Sequence, residues 1–196
     1  EYLKLNSRRE RGESHFFIPK KKGVRKIATT GIWKIEKRLD NVIDYTTNIE
    51  KTINSDYGKD SYYDLHNVID YVEADYKTEK QFYVSGVNCN PKTALEEMTI
   101  TKEQYGKAGG ILGFHAFQSF AEREVTPEQC HAIGVRLAEE MWGDRFEVVV
   151  STHLNTNHYH NHFVINSVSF KDGKRYYDKR ETYAELRRLS DGVSIK

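Results

Sequence analysis

The chain reads as an α+β domain, with a central antiparallel sheet of about five strands and flanking helices. Strongly β-prone runs at residues 146–152 and 159–170 lie side by side, and Asp172-Gly173 supplies a turn after the second. Helical spacing of apolar residues appears between the strand-like runs. The 196 residues are 38% hydrophobic and 30% charged with only three prolines, a balance suited to one folded domain.

The elements follow in order. A first strand falls at residues 32–35, after Thr29-Thr30-Gly31, and Leu39, Val42 and Ile43 then recur at helical spacing. That helix has an echo: residues 39–45 match residues 65–71 at every position but one, and Lys51-Thr52 and Lys77-Thr78 stand at the same distance beyond each copy. Two copies are too few for a solenoid and read as a local duplication of a helix and its turn. Residues 81–87 form a strand ended by Gly86 and Asn88, and residues 91–101 a helix. Gly109-Gly110 breaks the chain before a strand at 111–120. Thr126, Pro127 and Gln129 form a helix start, and Ile133, Leu137 and Met141 give that helix an apolar stripe up to Gly143. A return strand at 175–177 and a short helix at 181–190 close the domain.

No run approaches the ~18 apolar residues of a membrane span, and the first 26 residues are too charged for the apolar stretch of a signal peptide. Two cysteines cannot build a disulfide framework, so a reducing cytoplasm is the expected compartment. Charge is unevenly spread. Residues 1–26 hold nine lysines and arginines against three glutamates, a basic extension suited to contacting a phosphate backbone. Residues 27–196 form the domain proper.

Half of the eight histidines lie between His153 and His162. Side chains alternate along a strand, so His158, His160 and His162 project from one face. His153 ends the preceding strand, where a short turn brings it beside them. Three neutral imidazoles with open coordination positions describe a catalytic divalent-metal site, since structural zinc usually fills four protein ligands. The favoured set is His153, His160 and His162, with His158 nearer the edge as an outer or substrate contact. Imidazole donors suit Mn²⁺, Co²⁺, Ni²⁺ or Zn²⁺. Asn166 falls on the same face, suited to orienting a ligand.

The stretch from His153 to Asn166 resembles the third motif of the conjugative relaxases, His-x-Asp-x-x-His-x-His-x-His-x-x-x-Asn, with Asn155 in place of the Asp. The wider group is the HUH endonucleases, and Asn161 between the paired histidines is typical of the MobA/VirD2-like mobilisation branch, carried on plasmids and integrative conjugative elements. Thr30-Gly31-Ile32-Trp33, Val84-Ser85-Gly86-Val87-Asn88-Cys89, and His115 to Phe120 followed by Glu124 to Glu128 resemble the same branch, as do Gly173-Lys174 and Leu189-Ser190-Asp191. The likeness covers about residues 27–192. Relatives continue beyond Asp191, which implies a further C-terminal region.

The resemblance implies a metal-dependent relaxase that nicks one strand at a transfer origin and forms a 5′-phosphotyrosyl link. Mn²⁺ or Mg²⁺ is the cofactor it suggests. Single-stranded and hairpin transfer-origin DNA, accessory transfer proteins and a coupling protein are the partners, with no membrane insertion. Tyr45 is the favoured nucleophile because it directly follows the first strand and helix; Tyr71 shares its local sequence and remains the alternative. His115, Gln118 and Ser119 sit at the second motif as candidate DNA contacts, and Lys51 and Lys77 as phosphate contacts. Glu124 suits helix-start electrostatics. A rolling-circle replication initiator or a transposase shares the chemistry. A hydrolytic phosphodiesterase, with structural tyrosines, would form no covalent adduct.

Overall fold

A computed structural model describes residues 28–52 and 83–194. Its elements are β1 (Ala28–Ile35), α1 (Leu39–Thr46), α2 (Ile49–Thr52), β2 (Val84–Val87), α3 (Ala94–Gln104), β3 (Gly113–Phe120), α4 (Pro127–Trp142), β4 (Val148–His153), β5 (His160–Asn166) and α5 (Arg180–Ser194). The five strands form one sheet in the order β1-β3-β5-β4-β2, with every neighbouring pair antiparallel. The expected α+β architecture and strand number are both present. The basic extension, the repeat copy at 65–71, Tyr71 and Lys77 lie outside the described residues.

Helices cover both faces. On one, Ile35, Val149 and Val164 pack with Leu39 and Ile43 of α1 and with Ala94 and Met98 of α3. On the other, Phe114, Val148, Val150, Phe163 and Ile165 meet Leu137, Ala138 and Trp142 of α4 and Leu186 of α5. This double cover explains the unbroken Val148-Val149-Val150 run: β4 is buried along its whole length, so neither face needs polar residues. Each large side chain buried here contributes roughly 1.5–3 kcal/mol of transfer free energy.

The start of α4 is as the sequence predicts. The Thr126 hydroxyl accepts from the Gln129 N–H, the Gln129 side chain accepts from the Thr126 N–H, and Pro127 opens the helix. Several expected bounds differ: β1 starts at Ala28 rather than 32, β5 ends at Asn166 rather than 170, and α5 runs on to Ser194 rather than 190. α3 begins at Ala94 rather than 91, because the Asn90 side chain accepts from the Lys92 N–H and makes a turn around Pro91 first. The return strand at 175–177 reduces to one bridge, Val168 with Arg175. Tyr176 packs inward there against Phe114 and Phe146.

The two faces divide the polar residues as well. Asn161 points to the α4 side, where it donates to Gln118 Oε1 (3.0 Å) and to the Cys130 carbonyl (2.8 Å). It also accepts from the Thr152 hydroxyl (2.6 Å). His131 bridges Thr152 (2.8 Å) and Ser85 (2.7 Å), and Gln118 donates to Ser190 of α5 (2.8 Å). A continuous hydrogen-bonded chain thus crosses from β2 to α5 beneath the strand that carries His160 and His162. Gly134 of α4 lies against it: a Cβ there would stand 2.5 Å from Asn161 Nδ2.

Candidate active site and metal centre

The opposite face carries the histidines. Cross-strand pairing sets His153 against His160 and Ser151 against His162, so two adjacent strands deliver three imidazoles to one spot. One ring nitrogen from each of His153, His160 and His162 lies within 4.8 Å of the others. Among the described residues this is the one group of three histidine, cysteine or carboxylate side chains so arranged.

Each ring is held by one nitrogen and leaves the other facing its neighbours. His153 Nε2 meets the Thr46 carbonyl at 2.9 Å, His160 Nδ1 meets the His158 carbonyl at 2.9 Å, and His162 Nδ1 meets His115 Nε2 at 2.9 Å. The remaining His162 nitrogen, Nε2, is buried and has no hydrogen-bond partner among the described residues. An orphaned buried polar atom costs about 1–3 kcal/mol, a cost that a bound cation would relieve. Burial also keeps the rings neutral. It lowers His153 to about 4, lowers His160, and takes His162 well below the ordinary histidine value, so the lone pairs are available at neutral pH. The donor set fits a divalent ion with open positions.

That fit assigns protons. A His162 that ligates through Nε2 carries its proton on Nδ1 and donates it to His115 Nε2, which leaves the His115 proton on Nδ1. His115 is itself buried and lowered to about 4, chiefly by that burial, so it too is neutral. Its other neighbour is Trp33 on the edge strand, at 4.5 Å between ring centroids.

Tyr45 stands at this cluster. It is the penultimate residue of α1, and its ring lies 5.7 Å from that of His153 and 6.1 Å from that of His162. The carbonyl anchoring His153 belongs to the next residue, Thr46, so one helix end fixes both the tyrosine and a histidine. Lys51 Nζ sits 3.3 Å from the centre of the Tyr45 ring. The backbone of Lys51 is pinned as well, its carbonyl accepting from the Leu154 N–H at 2.7 Å.

The other expected residues separate. Ser119 is half-buried and pairs across the strands with His160. His158 precedes β5 and reaches the cluster through its carbonyl, while its side chain is exposed. Gln118 corrects the expectation of a DNA contact: it is fully buried on the opposite face, in the Asn161 chain. Asn166 shares the histidine face but orients none of them. It lies at the far end of β5, where it accepts from Lys102 Nζ (2.8 Å) and donates to Glu147 (3.0 Å) and the Met98 carbonyl (3.2 Å). Glu124 does not cap α4; it accepts from the Ala121 N–H (2.7 Å) and holds the turn that ends β3. The residue that sequence reasoning left out of the centre is Thr46, whose carbonyl acts by position rather than by side-chain type.

Residues 47–196 match the nuclease-domain model of the MobA/VirD2-like relaxases. The chain is 38% identical over 111 residues to protein rlx of Staphylococcus aureus, covering 57% of this chain and 33% of that protein. A second rlx protein of the same species is 39% identical over 109 residues, 56% of this chain and 34% of its own length. The group II intron-interrupted relaxase LtrB of Lactococcus lactis subsp. cremoris is 32% identical over 166 residues, 71% of this chain and 29% of the relative. The chain therefore spans about a third of the length of these curated relatives.

Proposed function

The chain belongs to the MobA/VirD2-like relaxases through its nuclease domain, and on that premise we propose that it nicks one DNA strand at a transfer origin with Tyr45 as the attacking group. The observation that carries this reading is the tyrosine ring edge-on to two members of the histidine triad. In the proposed step Tyr45 Oη attacks the scissile phosphorus, and the bond to the 3′ oxygen breaks. The phenol gives up its proton, the released 3′ oxygen takes one, and the strand is left with a 5′-phosphotyrosyl end. Because the link retains the phosphodiester's bond energy, the strand can be rejoined.

A divalent ion at His153, His160 and His162 would neutralise charge on the non-bridging phosphate oxygens; Mn²⁺ or Mg²⁺ is proposed. His115 holds His162 in the ligating tautomer and the His158 carbonyl holds His160. Lys51 brings positive charge to the phenol and to the arriving phosphate. Single-stranded and hairpin origin DNA is the substrate in this reading, with accessory transfer proteins and a coupling protein acting alongside. Among the described residues no helix is long and apolar enough to cross a membrane.

The test is incubation with single-stranded origin DNA and Mn²⁺, read on a denaturing gel. A covalent adduct is expected, abolished by chelator and by His160→Ala. Cleavage that leaves no adduct would replace this reading with hydrolysis by water.

A further inference from the structure

Beside His160, where β1 begins and β3 ends, lies an open depression of about 320 Å³. It is lined by apolar Ala28 and Phe120 and by polar Thr29, Ser119, Glu124 and His158. Ser119 is the direct cross-strand partner of His160, so the depression begins one side chain away from the proposed metal centre. A strand with its scissile phosphate at the histidines places a neighbouring nucleotide there.

The lining selects which part of that nucleotide enters. Among the described residues it contains no lysine or arginine, and the Glu124 carboxylate repels phosphate. A volume at the low end of ligand pockets suits a single base. The polar groups then meet its edge: Thr29 and Ser119 offer hydroxyls, which donate or accept, and Glu124 only accepts. One Glu124 oxygen is held by the Ala121 N–H, which fixes the carboxylate; the other has no protein donor among the described residues.

We propose that this depression reads one base beside the scissile phosphate, and that Glu124 makes it select a base with an exocyclic amino group, cytosine above all, over thymine. The inference rests on the nicking reading and adds a specificity-determining residue to it. Cytosine N4 donates to the open Glu124 oxygen, while its ring acceptors face the hydroxyls of Thr29 and Ser119. Thymine presents a carbonyl oxygen where cytosine has its amino group, and it meets the carboxylate with repulsion.

The test uses the full chain with labelled short oligo-dC and oligo-dT, measured by fluorescence anisotropy at one salt concentration. Backbone electrostatics act on both oligomers alike and cancel in the ratio. Wild type is expected to favour oligo-dC by about tenfold. Glu124→Gln is expected to reverse the ratio, because the amide oxygen keeps the Ala121 N–H and turns its NH₂ donor toward the base. Glu124→Ala is expected to bring the ratio to about one. Equal binding of both oligomers by wild type, or an unchanged ratio in Glu124→Gln, overturns the base-reading role and leaves the nicking proposal standing. Failure to bind either oligomer likewise overturns the base-reading role, whereas only the absence of a covalent adduct with origin DNA overturns the nicking proposal.

Discussion

His115 makes no direct claim on a metal, yet replacing it should weaken metal binding. It meets His162 Nδ1 at 2.9 Å and is 6% exposed, so the bond is shielded from water. His115→Phe keeps ring volume against Trp33 and removes the acceptor that holds His162 in its ligating tautomer. Loss of such an outer partner typically lowers metal affinity about 10- to 100-fold, or about 1.4–2.8 kcal/mol. The stranded Nδ1–H costs stability too, about 1–3 kcal/mol. For a chain of this size each kcal/mol moves Tm by about 2–4 °C. The assay is competition for Mn²⁺ or Zn²⁺ against a fluorescent chelator at a temperature where both proteins are folded. His131→Gln is the control: His131 is also a largely buried, hydrogen-bonded histidine, but on the far side of the sheet. It should lose stability and keep metal affinity. Equal metal affinity in wild type and His115→Phe, or an equal drop in both variants, would refute the reasoning.

Three further outcomes are expected. Gly134→Ala drives a methyl into Asn161 and should cost about 1–3 kcal/mol, seen as a lower Tm in a thermal melt; an unchanged Tm would mean the packing yields freely. Burial lowers His131 from its ordinary value to about 4, so the unfolded chain binds the extra proton first. Stability from this group is complete above about pH 6.5 and declines as pH falls toward 4; denaturant melts should show a shallower decline in His131→Gln. Lys51→Gln removes the charge over the Tyr45 ring and should slow adduct formation about tenfold. Its metal affinity should not fall, since Lys51 repels charge at the triad.

Strand alternation made much of the site legible. His160 and His162 are two residues apart on β5, and His153 ends the strand that pairs with it, so the triad follows from spacing. The same rule separates the second motif: His115 and Ser119 share the histidine face, and Gln118, at odd spacing, turns to the other face and meets Ser190 of α5. Asn161 sits between two histidines and belongs to the other layer for the same reason. Periodicity also placed α4 to its caps, because Thr126, Pro127 and Gln129 act locally. What the sequence did not disclose depends on distant partners. The Thr46 carbonyl and His153 are 107 residues apart, and a carbonyl leaves no mark in side-chain type. Asn166 shares parity with the histidines, yet its partner is settled by Lys102, 64 residues away. Glu124 reads as a helix-start acid until the turn beneath it is seen.

The repeat of residues 39–45 at 65–71 makes the identity of the attacking tyrosine the central claim. Trypsin separates the alternatives. Tyr45 is the sole tyrosine of the peptide 39–51, and Tyr71 falls in the peptide 60–77. The decisive measurement is mass spectrometry of the trypsin-digested, nuclease-trimmed adduct formed with Mn²⁺ and origin DNA. The account predicts a nucleotide mass on the peptide 39–51; the same mass confined to the peptide 60–77 would contradict it.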